Sequence, residues 1–254
     1  MNFISLVNIE LKKIKRSKII FILLISIGMI MISMISSAKI NLKSEGIKPG
    51  YNMFIQSALS LTVFILPLSF AVITVLLSQT ERKNRGIIKM LTLPVSPEKI
   101  ALAKFCTVIF IMAGEIVLFL ILYIPSQILA SNRAGINLSI PTVYILNWGL
   151  RIFAASIPMA SFFFMISICI NNAAASLGLQ FLFTVPIILA ANTKYWFVYA
   201  ADYPAKIIMQ EQGRFMENAR FNIPDLNLWI LSAAVITILT VLISTVCFSK
   251  IERE

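Results

Sequence analysis

Long apolar runs without a single charge alternate along this chain with short, mostly basic segments. Charge-free windows fall at 19–38, 49–80, 116–132, 152–193 and 226–249. A helix needs about 20 apolar residues to cross a bilayer, and the fourth window is twice that length. Asn171-Asn172 near its middle marks a tight turn, so that window predicts two helices. The pattern predicts an all-α integral membrane protein with one transmembrane domain over 1–254 and six transmembrane helices, at 18–38, 53–78, 102–130, 143–170, 173–192 and 226–249. Pro67, Pro125, Pro158 and Pro186 lie inside or near these spans, where neighbouring helices can re-satisfy the freed backbone groups.

The polar segments between the spans have their own order. Over residues 2–16, Phe3, Ile4, Val7, Leu11 and Ile14 share one helical face, and Ser5, Asn8, Lys12, Lys13 and Lys15 take the other. A basic amphipathic segment just before a span predicts an elbow helix lying in the membrane interface. The basic-then-apolar start, followed by Ser36-Ser37-Ala38, has the outline of a cleavable signal. Its apolar run is too long for one and reads as a retained helix. Lys12, Lys13, Lys15, Arg16 and Lys18 precede the first span, Arg82, Lys83, Arg85, Lys89, Lys99 and Lys104 fall between the second and third, and Lys250 and Arg253 close the chain. These are more than half of the 22 basic residues, so this side is expected to be cytoplasmic, with both termini there. On that topology Trp148, Trp196, Tyr199 and Trp229 gather near the outer face. They serve either as outer-leaflet anchors or as the lining of an external aromatic vestibule for an amphiphilic ligand.

Composition narrows the function. Hydrophobic residues make up 59% of the 254 and charged residues 13%, and the net charge is +11 with no histidine. Positive charge set beside apolar spans points to topology and anionic lipid rather than to nucleic acid. Without histidine there is no Ser-His-Asp or Cys-His relay and no imidazole metal site; no metal site is expected. Cys106, Cys169 and Cys247 have no CxxC spacing and read as single thiols packed like small apolar residues. There is no GxxxxGK[ST] phosphate loop and no convincing carboxylate pair for acid–base chemistry, so the chain is not expected to be an enzyme.

Two charges sit at membrane depth. Glu115 lies eleven residues past Lys104, about 16 Å from the inner face at about 1.5 Å per residue. Arg151 lies about 12 Å from the outer face if its helix starts near Val143, so in a core about 30 Å thick the two nearly coincide. They are expected either to pair inside the bundle or to stay apart, with Arg151 snorkelling outward. Ser156 with Ala160, and Ala174 with Gly178, have the small-xxx-small spacing of close helix packing or of a dimer surface.

The segment SQTERKNRGIIKMLTLPVSPEKIALAKF (78–105) is the densest polar insert. Its first half can be helical, Pro94 and Pro97 break it, and Ser96 is placed to cap a helix opening Pro97-Glu98-Lys99. That punctuation predicts a stiff strut across 79–101 rather than a loose linker, or at the least a positive-inside anchor. The spacing E-x4-G-x2-K-x4-P-x-S-x2-K, carried by Glu81, Gly86, Lys89, Pro94, Ser96 and Lys99, together with the six spans and the elbow, resembles the ABC-2 class of ABC-transporter permeases. Among these it most resembles the permeases of lantibiotic-immunity and bacitracin-export systems. The resemblance implies that the strut, with Arg85 and Glu98, couples to a separate ATP-binding subunit that holds ATP and Mg. It also implies a second permease subunit, the same or related, a re-entrant external segment over 193–225, residence in the bacterial cell membrane among its lipids, and export of a peptide-like antimicrobial substrate. The alternatives are an ion-coupled secondary transporter, for which Glu115 alone qualifies as an intramembrane carboxylate, and a membrane scaffold or sensor.

Overall fold

The structure, a computed structural model, describes residues 3–15, 19–38, 47–83, 96–216, 223 and 225–251. Among these the chain is helical and without strands: α1 (Phe3–Lys15), α2 (Ile19–Ser36), α3 (Pro49–Ser60), α4 (Leu66–Lys83), α5 (Pro97–Ala134), α6 (Thr142–Cys169), α7 (Ala173–Thr184), α8 (Ile187–Ala191), α9 (Tyr203–Met216) and α10 (Leu226–Ile251). Five helical stretches among the described residues are long and apolar enough to cross a membrane, namely Pro49–Ser78, Pro97–Ala134, Thr142–Cys169, Ala173–Ala191 and Leu226–Lys250. The apolar part of α2, Phe21–Ser36, is shorter. An all-α membrane fold is the result.

Proline shapes two spans in ways the apolar pattern does not show. Pro67 has no N–H to give the carbonyl four residues back, and its ring crowds that carbonyl. The chain accommodates it by opening a π turn over Leu61–Ile65 between α3 and α4. Pro186 divides the segment expected to be continuous over 173–192 into α7 and the short α8. The Tyr199 hydroxyl donates to the Phe183 carbonyl near that break, and Lys206 Nζ donates to the Ala191 carbonyl at 2.5 Å, a favourable place for a cation. Asn172 caps α7 by accepting from the Ala174 and Ala175 amides.

The core is assembled around α5 and α6. Helix α6 packs against α10, α5, α4 and α9, and α5 also receives α1, α2 and α10. At 38 residues, α5 is about 57 Å long at the usual rise, nearly twice a bilayer core of about 30 Å, so its two ends carry the polar contacts outside the membrane. The first end meets α1 and the last turns of α10, since Lys104 lies beside Glu10 and 5.7 Å from the Phe248 ring centre. The far end closes on Gly135, which ends the helix in the left-handed region at φ 69°.

The following loop passes close over the start of α3. A Cβ at Gly50 would fall 2.4 Å from the Leu138 carbonyl oxygen, the carbonyl that Gln127 also holds through its side-chain amide. Because backbone rather than a flexible side-chain end is in the way, Gly50→Ala is expected to destabilise the protein by about 1–3 kcal/mol. Thermal unfolding in detergent reads this directly, and an unchanged midpoint would refute the close approach.

Candidate functional site: the coupling end, the interior and the far-end cap

At the first end, α1 is docked by two means. Leu6 and Val7 cluster with Ala103 of α5, backed by Leu11 and Cys106. Beside them the buried Glu10 carboxylate receives Lys13 at 2.6 Å and Lys104 at 3.5 Å. Of the residues expected to share one apolar face, Val7 is buried while Phe3 and Ile4 are exposed, which suits them to the apolar margin of a membrane. Next to this contact, Ser96 occupies the cap position of α5 and Pro97 the first turn, although the Ser96 side chain makes no cap hydrogen bond. Glu98 and Lys99 stand exposed beyond it. Glu81 lies in the last turn of α4, where its backbone is helical; Arg85, Gly86, Lys89 and Pro94 lie outside the described residues.

In the interior, Glu115 is fully buried on α5 and accepts a hydrogen bond from Ser69 of α4 at 2.9 Å, while its Oε1 has no hydrogen-bond partner among the described residues. Of the two arrangements expected, the pair with Arg151 does not form and the two residues stay apart. Arg151 is exposed on α6, donates from Nε to Asn147 Oδ1 at 3.2 Å, and lies with its guanidinium 4.9 Å from the Trp148 ring centre. Depth along the axis was right for a pair, but the rotation of each helix turns Glu115 toward α4 and Arg151 outward. Two more polar bridges cross the core: Thr74 to Gln180 at 3.1 Å, which links α4 to α7, and Thr240 to Ser161 at 2.9 Å, which links α10 to α6. Ser156 and Ala160 are buried on α6, whereas Ala174 and Gly178 lie on an exposed face of α7 with open space around Gly178. Within one chain, then, the first small-residue pair serves packing and the second does not. Cys169 and Cys247, expected as isolated thiols, are neighbours, with sulfurs 2.6 Å apart.

At the far end, α9 lies across α3 and α6. Its Glu211, 2% exposed, accepts from the Tyr144 hydroxyl at 2.9 Å and pairs with Arg214 at 2.8 Å. Burial pushes the Glu211 carboxyl up, opposed by Tyr144, Arg214 and Arg151. Trp196, Tyr203 and Trp229 form a three-ring cluster with centres 5.8–6.1 Å apart. Trp148 packs separately on Tyr144. Trp148 and Trp196, read either as outer-leaflet anchors or as vestibule lining, are neither: they are 3% and 2% exposed and serve as core. Burial is what these large rings gain most from.

The docked elbow and the spanning helices form one arrangement, and a family model bears on it directly. The model for the ABC-2 family transporter protein matches residues 6–187, most of the chain. The chain belongs to the ABC-2 transporter family. It is a multi-pass membrane protein, the permease component of an ABC transporter, and its family works with an ATP-binding subunit. Among curated proteins none matches the chain. The match ends before the far-end cap, so α9 and α10 are described by the structure alone.

Two of the aromatic residues singled out in this permease do line cavities. Tyr199 borders one of about 410 Å3 between α6, α7 and α10, walled by Phe162, Phe183, Ile236, Leu239 and Thr240. Trp229 borders another of about 230 Å3 together with Arg151. The residues that reading the sequence missed are Glu10, Lys104, Tyr144, Asp202 and Lys206. Glu10 had a signal, being the one acid close to the apolar face of an otherwise basic elbow. Asp202 had another, since Asp-Tyr-Pro reads as a helix start.

Proposed function

We propose that this permease is half of the membrane path of an ATP-driven exporter that removes an antimicrobial peptide, a lantibiotic or one similar to it, from the bacterial cell membrane and so gives immunity or resistance. The observation that carries this reading is the cavity beside Tyr199. It lies within the membrane-spanning bundle and is walled by Phe162, Phe183, Ile236 and Leu239, with the Thr240 hydroxyl among few polar groups. Such a surface suits the apolar side chains of an amphiphilic peptide and offers little to a polar solute. A second permease, the same chain or a related one, completes the path. The exposed α7 face with Ala174 and Gly178 is where it fits.

Energy enters through the partner, which binds ATP and Mg. Closure of the ATP-binding subunits moves the strut over 79–101 on the cytoplasmic side, and the first turn of α5, with Glu98 and Lys99 exposed, carries the displacement into the bundle. Ion coupling through Glu115 is the competing reading, favoured by its buried and half-partnered carboxylate. Affinity purification from native membranes in mild detergent separates the two. An ATP-binding subunit is expected to accompany the wild type and to be lost, at least about tenfold, from the Arg85→Glu, Glu98→Lys variant. Recovery of no such subunit under any gentle condition would overturn the strut and leave Glu115 as the coupling group.

A further inference from the structure

Cys169 and Cys247 are 78 residues apart in sequence, yet their sulfurs lie 2.6 Å from each other across α6 and α10. Their meeting is set by the seam between these helices. The Thr240 hydroxyl donates to Ser161 at 2.9 Å, seven residues before Cys247 on α10 and eight before Cys169 on α6, or about two turns along each. Matched spacing on both helices means that they run the same way in a fixed register. Ser244, buried between the two contacts, keeps its hydroxyl on the Thr240 carbonyl and adds no bulk to the seam.

The pair is also placed where reagents reach it. Cys169 is exposed and Cys247 half-buried. Cys169 ends α6 just before Asn171-Asn172, and Cys247 precedes Lys250 in the last turn of α10. Such polar residues mark the margin of a span. The third thiol, Cys106, packs instead with Leu6, Val7 and Ala103. A metal ion does not account for the pair: bonded to both sulfurs at about 2.3 Å, it would be squeezed to an angle far below tetrahedral, and the described residues offer no third ligand in a group that could hold it. Two thiols in contact, one of them accessible, are instead set to exchange with a disulfide.

We propose that Cys169 and Cys247 form a reversible thiol pair that a low-molecular-weight disulfide converts to an intrachain disulfide, joining the ends of α6 and α10. The exposed Cys169 thiolate attacks one sulfur of the external disulfide. That bond breaks, and its other half leaves as a thiolate that takes up the proton Cys169 gave up. The Cys247 thiolate then attacks the Cys169 sulfur, and the first half leaves as a second thiol with the Cys247 proton. Two protein thiols are oxidised by two electrons, and one external disulfide is reduced to two thiols. Phe248, the next residue, has its ring centre 5.7 Å from Lys104 of α5, so the bond holds the elbow end of α10 to α6. It does so whichever substrate the exporter carries.

The test incubates the full chain, reduced and purified in mild detergent, with oxidised glutathione and follows intact mass and alkylatable thiols. The wild type is expected to lose two of its three thiols together with two hydrogens in mass. It should pass only briefly through a glutathione adduct and regain both thiols with dithiothreitol. Cys247→Ser should accumulate the adduct on Cys169, since nothing resolves it, and Cys106→Ser should close at the wild-type rate. Denaturing the wild type in SDS should lengthen the life of the adduct at least about tenfold, because contact in the fold supplies the effective concentration. A wild-type adduct as lasting as that of Cys247→Ser, loss of closure in Cys106→Ser, or a bond between two chains rather than within one overturns the proposal. In a separate arm with zinc alone, an ion retained by the reduced wild type and lost from Cys247→Ser would make the pair a metal site and overturn it as well.

Discussion

Replacing Lys104 by methionine is expected to undock α1 and to abolish transport while the transmembrane core stays folded. Glu10 and Lys104 have side chains 5% and 4% exposed, with Nζ and Oε2 3.5 Å apart. Removing one partner of so buried a pair leaves a carboxylate that water cannot reach, a loss of about 3–5 kcal/mol when nothing replaces it. Here Lys13 still reaches the other Glu10 oxygen at 2.6 Å from a more exposed position, so the lower end of that range applies. Methionine preserves the apolar stem against Phe248 and removes only the charge. Two readouts distinguish undocking from general instability. Cys106 packs against the Leu6–Val7–Ala103 cluster, so in a Cys169→Ser, Cys247→Ser background its alkylation should accelerate several-fold, in line with local opening of a poorly anchored element. Adding Glu10→Gln should then cost less than the two single changes together by about 1 kcal/mol or more, the mark of a direct contact. Strict additivity of the two changes would remove the pair from the account of how α1 is held.

What the sequence made legible, and what it did not, follows from how much of each question is one-dimensional. Charge-free windows locate membrane spans because a bilayer selects on length and polarity, which are read along the chain. The turn at Asn171-Asn172 was legible for the same reason, being a local signal between two apolar runs. Rotation about a helix axis is not such a signal. Glu115 and Arg151 were placed at matching depth, yet one faces Ser69 and the other the Trp148 ring. Aromatic residues were placed at the far end, but whether a ring is core or cavity lining depends on its neighbours. Trp196 is core and Trp229 borders a cavity, although both are tryptophans beside apolar segments at the same end of the bundle. Pro67 and Pro186 were both visible in the sequence. One opens a π turn and the other breaks its helix, a choice made by the packing around each. The docking of α1 through Glu10 was hidden because it joins residues 94 apart, beyond the reach of any periodicity.

Asp202 supplies the largest expected pH effect outside the membrane spans. It sits just before α9 with 0% exposure, and both carboxyl oxygens are buried without a hydrogen-bond partner among the described residues. Its backbone is well used, the amide donating to Tyr199 at 3.1 Å and the carbonyl accepting from Lys206 at 2.8 Å, so the side chain is fixed in place by its own main chain. Burial pushes the carboxyl up to about 8, with the Lys206 charge opposing; burial in turn pulls Lys206 down. A carboxyl raised in the folded state binds its proton more tightly there than in the unfolded chain. Its contribution is therefore complete below the ordinary value of 3.8 and is lost as pH rises toward and through about 8. From pH 5 to pH 9 the wild type should lose about 2–4 kcal/mol from this group, less than full linkage would give, because relaxation and water penetration screen part of it. Glu211, also raised by burial, adds to the loss in the same direction. Lys206, lowered, works against it only toward the alkaline edge. Asp202→Asn keeps the shape and cannot ionise, so its unfolding midpoint should vary much less across this window and should exceed the wild type's at pH 9. Parallel profiles for the two proteins would mean that Asp202 is ionised and hydrated in the fold. A flatter profile in the variant ties the seating of α9, and with it the cap over the far end of the path, to a proton held on one carboxyl group.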